Sequence, residues 1–363
     1  MSNIDINKFR VGYVPISEDF ESPGDSRRFI FYSKERNISV EIADINCSYD
    51  CVVLSQAADL SIWRNYKKSP IVFDFIDSYY ALPKHNLRAL MRGLAKFLAR
   101  KSSYLQLNYW AALEDMCKHS AAVVCATDEQ KQVISSFNKN IHVILDAHNF
   151  FIQRPKTTYK NSFPLKLIWE GLPQNINSLK VIKNVLNPLI VNREVELHVI
   201  SDPWYYSVLN KYILVNSVEE IKKIFPQAKF HVWKKSSLAN LITNCDIAII
   251  PIDIKNPLTA GKPENKLLLF WRMGMPVITT NTSAYKKAML SSGHDFTCSN
   301  ESEWNTKLQL LMGSQNLRQE VANAGFKVSQ LQYSISNIVS QWDAMFESLN
   351  LKDFKLRLKR KDL

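Results

Sequence analysis

The sequence predicts an α/β fold of two doubly wound parallel sheets, and three observations carry that expectation. The chain has 363 residues, a length that suits two domains of roughly 150 residues each. Short apolar strands alternate with helical stretches from Arg10 onward, and the same alternation starts again at Leu165. Between the two series lies a polar, basic stretch, Gln153 to Ser162 (QRPKTTYKNS), which reads as a linker.

In the first half, strands are expected at Arg10–Val14, Ile38–Ile42, Tyr49–Ser55, Pro70–Ile76, Ala121–Ala126 and Ile141–Leu145. In the second half they fall at Leu165–Trp169, Val195–Ile200, Lys229–Trp233, Asp246–Pro251, Pro276–Thr279 and Asp295–Cys298. After Cys298 the pattern is helical to about Asn350, and a basic tail, LKDFKLRLKRKDL, follows. The expected domains are therefore 1–155, 163–333 and a terminal helix with its tail over 334–363. Two Rossmann-like domains of this kind face one another across a cleft, and ligands bind where the strand carboxyl ends meet.

The most informative stretch runs from Cys245 to Thr280, CDIAIIPIDIKNPLTAGKPENKLLLFWRMGMPVITT. An apolar strand ends in a polar loop. Pro263 and Glu264 precede a helix opening at Asn265 and Lys266, Gly274 closes it, and a further strand begins at Pro276. A helix N-terminus at the carboxyl end of parallel strands favours a phosphate, and here it also carries a lysine.

Three other loops could carry chemistry. Gly171, after the strand Leu165–Trp169, would let backbone approach a ligand, and Asn175 could cap the helix that follows; a tight strand–helix turn explains both residues equally well. Val232 and Trp233 end another strand and could read a base, or Trp233 could simply pack on the rim. In the first half, Gly24 and Asp25 make a turn, and Arg27 and Arg28 are expected to open a helix beside the cleft, free for an anion or merely solvated. Asp74 and Asp77 end the strand Pro70–Ile76 on opposite faces; Asp77, nearer the mouth, is the candidate general base or else a helix cap. His148 stands at the domain junction, where a structural role outweighs ligand contact.

The net charge of +12 points to an anionic partner. No nucleic-acid motif accompanies it. Residues Leu87 to Lys101 form a basic amphipathic helix, with Arg88, Arg92, Lys96 and Arg100 at four-residue spacing. Either it packs into the core with a solvated face, or, helped by the tail, it docks on anionic lipid. The six cysteines show no paired metal spacing, and MSNIDINKFR carries no apolar signal region, so a cytoplasmic protein with reduced thiols is expected. No histidine cluster or Asp-x-Asp pair suggests a metal, and no GxGxxG, GxxxxGK[ST] or GxSxG motif occurs.

Taken together, SPGDSRRF, LIWEGLPQN, CDIAIIPI with KPENKLLLFWRMGMPVITT, Glu303–Trp304 and Gln341–Trp342 resemble glycosyltransferases of the GT-B fold, the nucleotide-sugar-dependent group that builds bacterial surface polysaccharides. The resemblance spans nearly the whole chain. It implies a UDP- or GDP-sugar donor in the second domain, with the diphosphate near Gly171, Asn265 and Lys266 and the base near Val232 and Trp233. It implies a glycan or glycolipid acceptor in the first domain near Gly24, Asp25, Arg27, Arg28 and Asp77, transfer without a metal, and a terminal helix that crosses back to the first domain; the basic helix and tail add the option of peripheral work at the inner face of the plasma membrane. Many retaining members carry two glutamates around that helix start. The matching positions here are Gly261 and Leu269, with Glu264 the substitute for the first. A nucleotide-sugar epimerase on the same fold and a non-catalytic nucleotide-sugar-binding module are the alternatives.

Overall fold

The structure is a computed structural model that describes residues 9–76, 87–148, 155–160, 162–207 and 212–351, with backbone alone for 87–91. It divides into two compact units, Met1–Ala147 with Ile335–Leu363, and His148–Ser334.

The first unit holds β1 (Arg10–Val14), α1 (Pro23–Ser26), α2 (Phe29–Arg36), β2 (Ser39–Ile42), β3 (Cys51–Ser55), α3 (Leu60–Trp63), β4 (Ile71–Asp74), α4 (Leu87–Leu98), α5 (Tyr109–His119), β5 (Ala122–Cys125), α6 (Asp128–Ile134) and β6 (Ile141–Val143). Its strands lie in the order β2-β1-β3-β4-β5-β6, every pair parallel. Strands β3, β4 and β5 are buried along their whole length, which is why they read as unbroken apolar runs rather than alternations.

The second unit holds β7 (Leu165–Glu170), a 3-10 helix (Pro173–Ile182), α7 (Lys183–Val191), β8 (Val195–Ser201), β9 (Trp204–Tyr206), β10 (Leu214–Asn216), α8 (Ser217–Ile224), β11 (Lys229–Val232), α9 (Lys235–Thr243), β12 (Ile247–Ile250), α10 (Pro257–Ala260), α11 (Asn265–Arg272), β13 (Val277–Thr280), α12 (Ser283–Ser291), β14 (Thr297–Cys298), α13 (Glu301–Gly313) and α14 (Gln315–Leu331). Its main sheet runs β11-β8-β7-β12-β13-β14, again all parallel. Strand order reverses beside β7, so the crevice between β7 and β12 is the place for a ligand.

Each strand expected from the sequence is present. The antiparallel hairpin β9–β10 was not foreseen. The break between units also falls earlier than the basic stretch suggested, because part of that stretch is built into the second unit. Lys156 donates its amide to the Met273 carbonyl at 2.9 Å, and the Tyr159 hydroxyl donates to the Gly274 carbonyl at 2.8 Å.

The last helix, α15 (Ile335–Ser348), belongs to the first unit. Trp342 and Phe346 are fully buried, with Tyr32 stacked on them at 5.6 and 5.4 Å between ring centroids. Asp343 accepts from the Tyr32 hydroxyl at 2.9 Å and pairs with Arg36.

Inside the second unit, α11 and α14 approach closely because position 325 carries no side chain. A Cβ on Gly325 would lie 2.4 Å from the indole of the buried Trp271. Gly325→Ala is expected to destabilise the unit by about 1–3 kcal/mol, the usual cost of overpacking. Denaturant unfolding monitored by tryptophan fluorescence would show it, and an unchanged midpoint would mean that the helices part freely.

Within β8 and β11, His198 and His231 share a hydrogen bond of 2.9 Å between ring nitrogens, beside Glu196, Lys229 and Lys166. One nitrogen must accept, so the bond cannot survive with both rings protonated. Burial first, and for His231 then the charges of His198 and Lys229, hold both histidines below the ordinary imidazole range, although Glu196 pulls the other way. The unfolded chain then binds these protons more readily than the folded one. Stability is complete above about pH 6.5, the unperturbed histidine value, and declines as the pH falls below it. Melting temperatures of the native chain and of His231→Gln between neutral and mildly acidic pH test this. The variant should lose part of the acid sensitivity, and parallel curves would contradict it.

Candidate functional site

The carboxyl ends of β7, β8 and β11 are joined by a chain of hydrogen bonds. Gly171, just past β7, donates its amide to the Ile200 carbonyl at 3.1 Å, and its own carbonyl accepts from the Ser201 hydroxyl at 2.6 Å. The Ser201 carbonyl accepts from the Trp233 amide at 2.9 Å. Trp233 is half-buried, and Val232 beside it is exposed. The predicted base-reading and phosphate-approaching residues thus share one rim.

Helix α11 brings the charge. Lys266, its second residue, donates to the Glu170 carbonyl, with its Nζ 3.9 Å from the Glu170 carboxylate and 4.9 Å from the Trp169 ring centroid. A Cβ on Gly171 would meet that Nζ at 2.2 Å and the Trp169 ring at 2.8 Å, so glycine is required by close approach. A second lysine, Lys262, reaches the Asn175 side chain at 2.9 Å. Asn265 opens the helix, where amides and dipole favour an anion. The Thr280 hydroxyl accepts from the Ile252 amide at 2.8 Å and so ties the loop after β12 to β13.

Two carboxylates lie close by. Glu264, buried at the helix start, accepts from the Tyr333 hydroxyl at 3.4 Å. Burial, then the charges of Glu264 and Glu170, push the Tyr285 phenol up and keep it neutral. Leu269, the position of the second expected glutamate, is buried inside α11, and Gly261 caps α10. His148 is buried with its Nδ1 3.0 Å from the Arg272 guanidinium, a structural pairing.

The sequence reading therefore anticipated Gly171, Asn175, Val232, Trp233, Glu264, Asn265 and Lys266 as one group, and they lie around the carboxyl ends of neighbouring strands. It missed Lys262, Glu170, Ser201, Tyr285 and Tyr333. GKPENK holds two lysines four positions apart across the helix start, a signal that could have found Lys262.

The first unit requires corrections. Arg27 caps the end of α1 and Arg28 caps the start of α2, so the pair does stand at a helix start, but Arg28 is not free for an anion. Arg28 is 0% exposed. Its guanidinium grips Asp74 through Nε at 2.9 Å and Nη2 at 2.6 Å, and Nη1 reaches the Ile144 carbonyl at 2.8 Å and Asp146 at 3.2 Å. Asp25 is also fully buried, accepting from the Tyr13 hydroxyl at 2.5 Å and from the Ile16 and Ser17 amides at 2.9 and 3.0 Å. Buried charges need partners, and these side chains are used to hold the loop rather than presented to a ligand. Gly24 lets Ile16 pack close, at 2.3 Å from a hypothetical Cβ. Arg27 is half-buried, and its carbonyl accepts from the Ala147 amide at 2.8 Å. Asp77 and the tail after Leu351 lie outside the described residues. Among the described residues, no group of three or more His, Cys, Asp or Glu side chains is placed to hold a metal, and no helix is long and apolar enough to cross a membrane.

No family model and no curated protein matches the chain. Solved structures do. HepE of Anabaena, in complex with UDP, superposes with a TM-score of 0.59 at 12% identity over 88% of this chain and 89% of that one. A glycosyltransferase from Rickettsia africae gives 0.58 at 12% identity over 97% and 99%. TarM of S. aureus gives 0.53 at 11% identity over 82% of this chain and 54% of its own, so the chain spans about half the length of TarM. At such identities the likeness is one of fold: the chain has the two-domain α/β architecture, GT-B, of these glycosyltransferase structures.

Proposed function

We propose that the protein is a glycosyltransferase that moves a sugar from a nucleotide-sugar donor to a glycan acceptor. The observation that carries this reading is Lys266, set at the start of α11 against the glycine that follows β7, at the point where strand order reverses. Sugar transfer releases a nucleoside diphosphate, and negative charge grows on it as the glycosidic bond breaks. An ammonium, helix amides and a second lysine stabilise that charge. Lys266 donates to the Glu170 carbonyl with the Glu170 carboxylate 3.9 Å away, and Lys262 donates to the Asn175 side chain; a doubly charged phosphate would compete for both ammonium groups. This charge set supports departure of the diphosphate without a metal. The Val232–Trp233 edge would hold the base. The acceptor would meet the first unit near Gly24 and Arg27, with Asp77 taking its proton. A lipid-linked glycan, met at the inner face of the plasma membrane, suits the basic chain. UDP bound to HepE, a protein of the same fold, adds support for a nucleotide ligand.

Epimerisation fares worse, because His148, buried beside α11, is held against Arg272. The departure at Gly261 and Leu269 favours a binding-only module as the second reading. A thermal-shift panel of UDP, GDP and ADP and their sugars tests the proposal, followed by nucleotide release from whichever sugar stabilises the protein. Stabilisation with slow release supports the transferase. Stabilisation without release, with acceptor glycans present, favours the module. No stabilisation by any of them overturns both.

A further inference from the structure

The hairpin β9–β10 of the second unit stands outside the donor chemistry, and its outer face is aromatic. In the ladder Tyr206 pairs with Leu214, and Tyr205 with Val215. Strand alternation puts Trp204, Tyr206 and Leu214 on one face and Tyr205 and Val215 on the other. Trp204, Tyr206 and Leu214 are 53%, 46% and 55% exposed, while Tyr205 and Val215 are half-buried.

Polar anchors fix this face in place. The Tyr205 hydroxyl donates to the Glu220 carboxylate on α8 at 3.0 Å. The Ser217 amide donates to the Pro203 carbonyl at 2.9 Å and closes the base of the hairpin. The Ser207 amide donates to the Ile213 carbonyl at 2.9 Å and extends the ladder past Tyr206. Asn216 ties the return strand to α8 by accepting from the Val218 amide at 2.9 Å. Trp204 and Tyr206, two residues apart on one strand, are therefore held about 7 Å from each other along it.

Location, charge and area identify what this face takes. The hairpin leaves the carboxyl end of β8, where the Ser201 hydroxyl holds the Gly171 carbonyl. Trp204 is three residues after Ser201, so their Cα atoms lie within about 11 Å. From Trp204 to Asn216 the one charged residue is Lys211, in a chain of net charge +12. A polyanion or an anionic lipid surface would be met by a cluster of cations. Two half-exposed rings and a leucine offer on the order of 300 Å², against about 800 Å² on each side of a stable protein interface. What fits is a small uncharged ligand with apolar faces and polar edges. A pyranose has that form. Its C–H bonds, polarised by the ring and hydroxyl oxygens, lie against the negative face of an aromatic ring, and its hydroxyls meet the indole N–H and phenol O–H.

We propose that Trp204 and Tyr206 stack against sugars of an uncharged glycan, the acceptor chain that the enzyme extends, with Leu214 beside them. The hairpin holds sugars of that chain other than the one whose hydroxyl reacts. This rests on the transferase reading and deepens it, because it names the acceptor as a chain of uncharged pyranoses.

The test is calorimetric titration of the full chain with uncharged trisaccharides of glucose, N-acetylglucosamine, galactose and mannose, with a hyaluronan tetrasaccharide as the charged reference. At least one uncharged trisaccharide should bind more tightly than the hyaluronan fragment. Salt should change that affinity little, since screening acts on charges and stacking needs none. Trp204→Ala should weaken binding roughly tenfold, the order seen when one stacking ring is removed, and Tyr206→Ala in addition should weaken it further. Trp204→Phe keeps a ring and should keep most of the affinity. All these variants should melt with the native chain, because both side chains face solvent, and this separates stacking from misfolding. The proposal is overturned if no uncharged trisaccharide binds, if Trp204→Ala binds as well as the native chain, or if Trp204→Ala breaks up a dimer in sedimentation equilibrium. Nucleotide thermal shifts read the donor site without a glycan. No trisaccharide binding beside a clear nucleotide shift overturns this proposal alone. Trisaccharide binding with no nucleotide shift overturns the transferase reading, and with it the role as acceptor.

Discussion

Asp74→Ala should destabilise the first unit by about 3–5 kcal/mol, the range for breaking a buried ion pair from one side. Arg28 and Asp74 are both inaccessible to water and joined by three hydrogen bonds, Nε to both carboxylate oxygens and Nη2 to one of them. Removing the carboxylate leaves a buried guanidinium with only Asp146 and the Ile144 carbonyl. Burial pushes the Asp74 carboxyl above its ordinary range, and the guanidinium opposes that push. Asp146 keeps some contact with water, so it replaces the lost charge only in part. Calorimetry should show the first unit melting at a lower temperature. The double variant Arg28→Met with Asp74→Leu should recover much of the loss, because it removes both charges and refills the space. A loss in the single variant below about 1 kcal/mol, the scale of an exposed pair, would contradict the buried assignment.

Lys266→Ala is expected to weaken nucleotide-sugar binding by about 1.5–3 kcal/mol, the range for a hydrogen bond to a charged group. That is roughly a ten- to 150-fold loss of affinity. The side chain retains some access to water and spans from α11 to the backbone beside Gly171, so its ammonium can turn from a carbonyl to a phosphate without crossing the core. Asn265→Ala should matter less, since its contribution overlaps with that of the helix amides. Gly171→Ala should also weaken binding, because the added methyl displaces the ammonium. Calorimetric titration with the nucleotide sugar identified by thermal shift measures all three. Unchanged affinity in Lys266→Ala would place the phosphate elsewhere.

The strands and the donor-side residues were legible for one reason. Parallel strands buried on both faces are written as apolar runs, and the loops after them hold the polar residues a ligand needs. The hairpin β9–β10 was not legible, because strands of three residues are too short to set a period. Arg28 misled for a different reason. Its neighbours in sequence form a short helix and a joint, which predict a surface arginine, and only Asp74, on another strand, draws it inside. Lys96 is similar: four-residue spacing places it on a solvated face, and Tyr109 on the next helix engages it.

The amino-acid sequence by itself determined the fold class, the two strand–helix series and the helix start at Asn265, since apolar periodicity and helix punctuation act between neighbours in the chain. Tertiary structure decided which charges face water. It set Lys266 against Gly171 and closed Arg28 into a core ion pair. Each of those outcomes depends on a partner far along the chain, and the free energy of a charge or an apolar side chain is set by what surrounds it after folding.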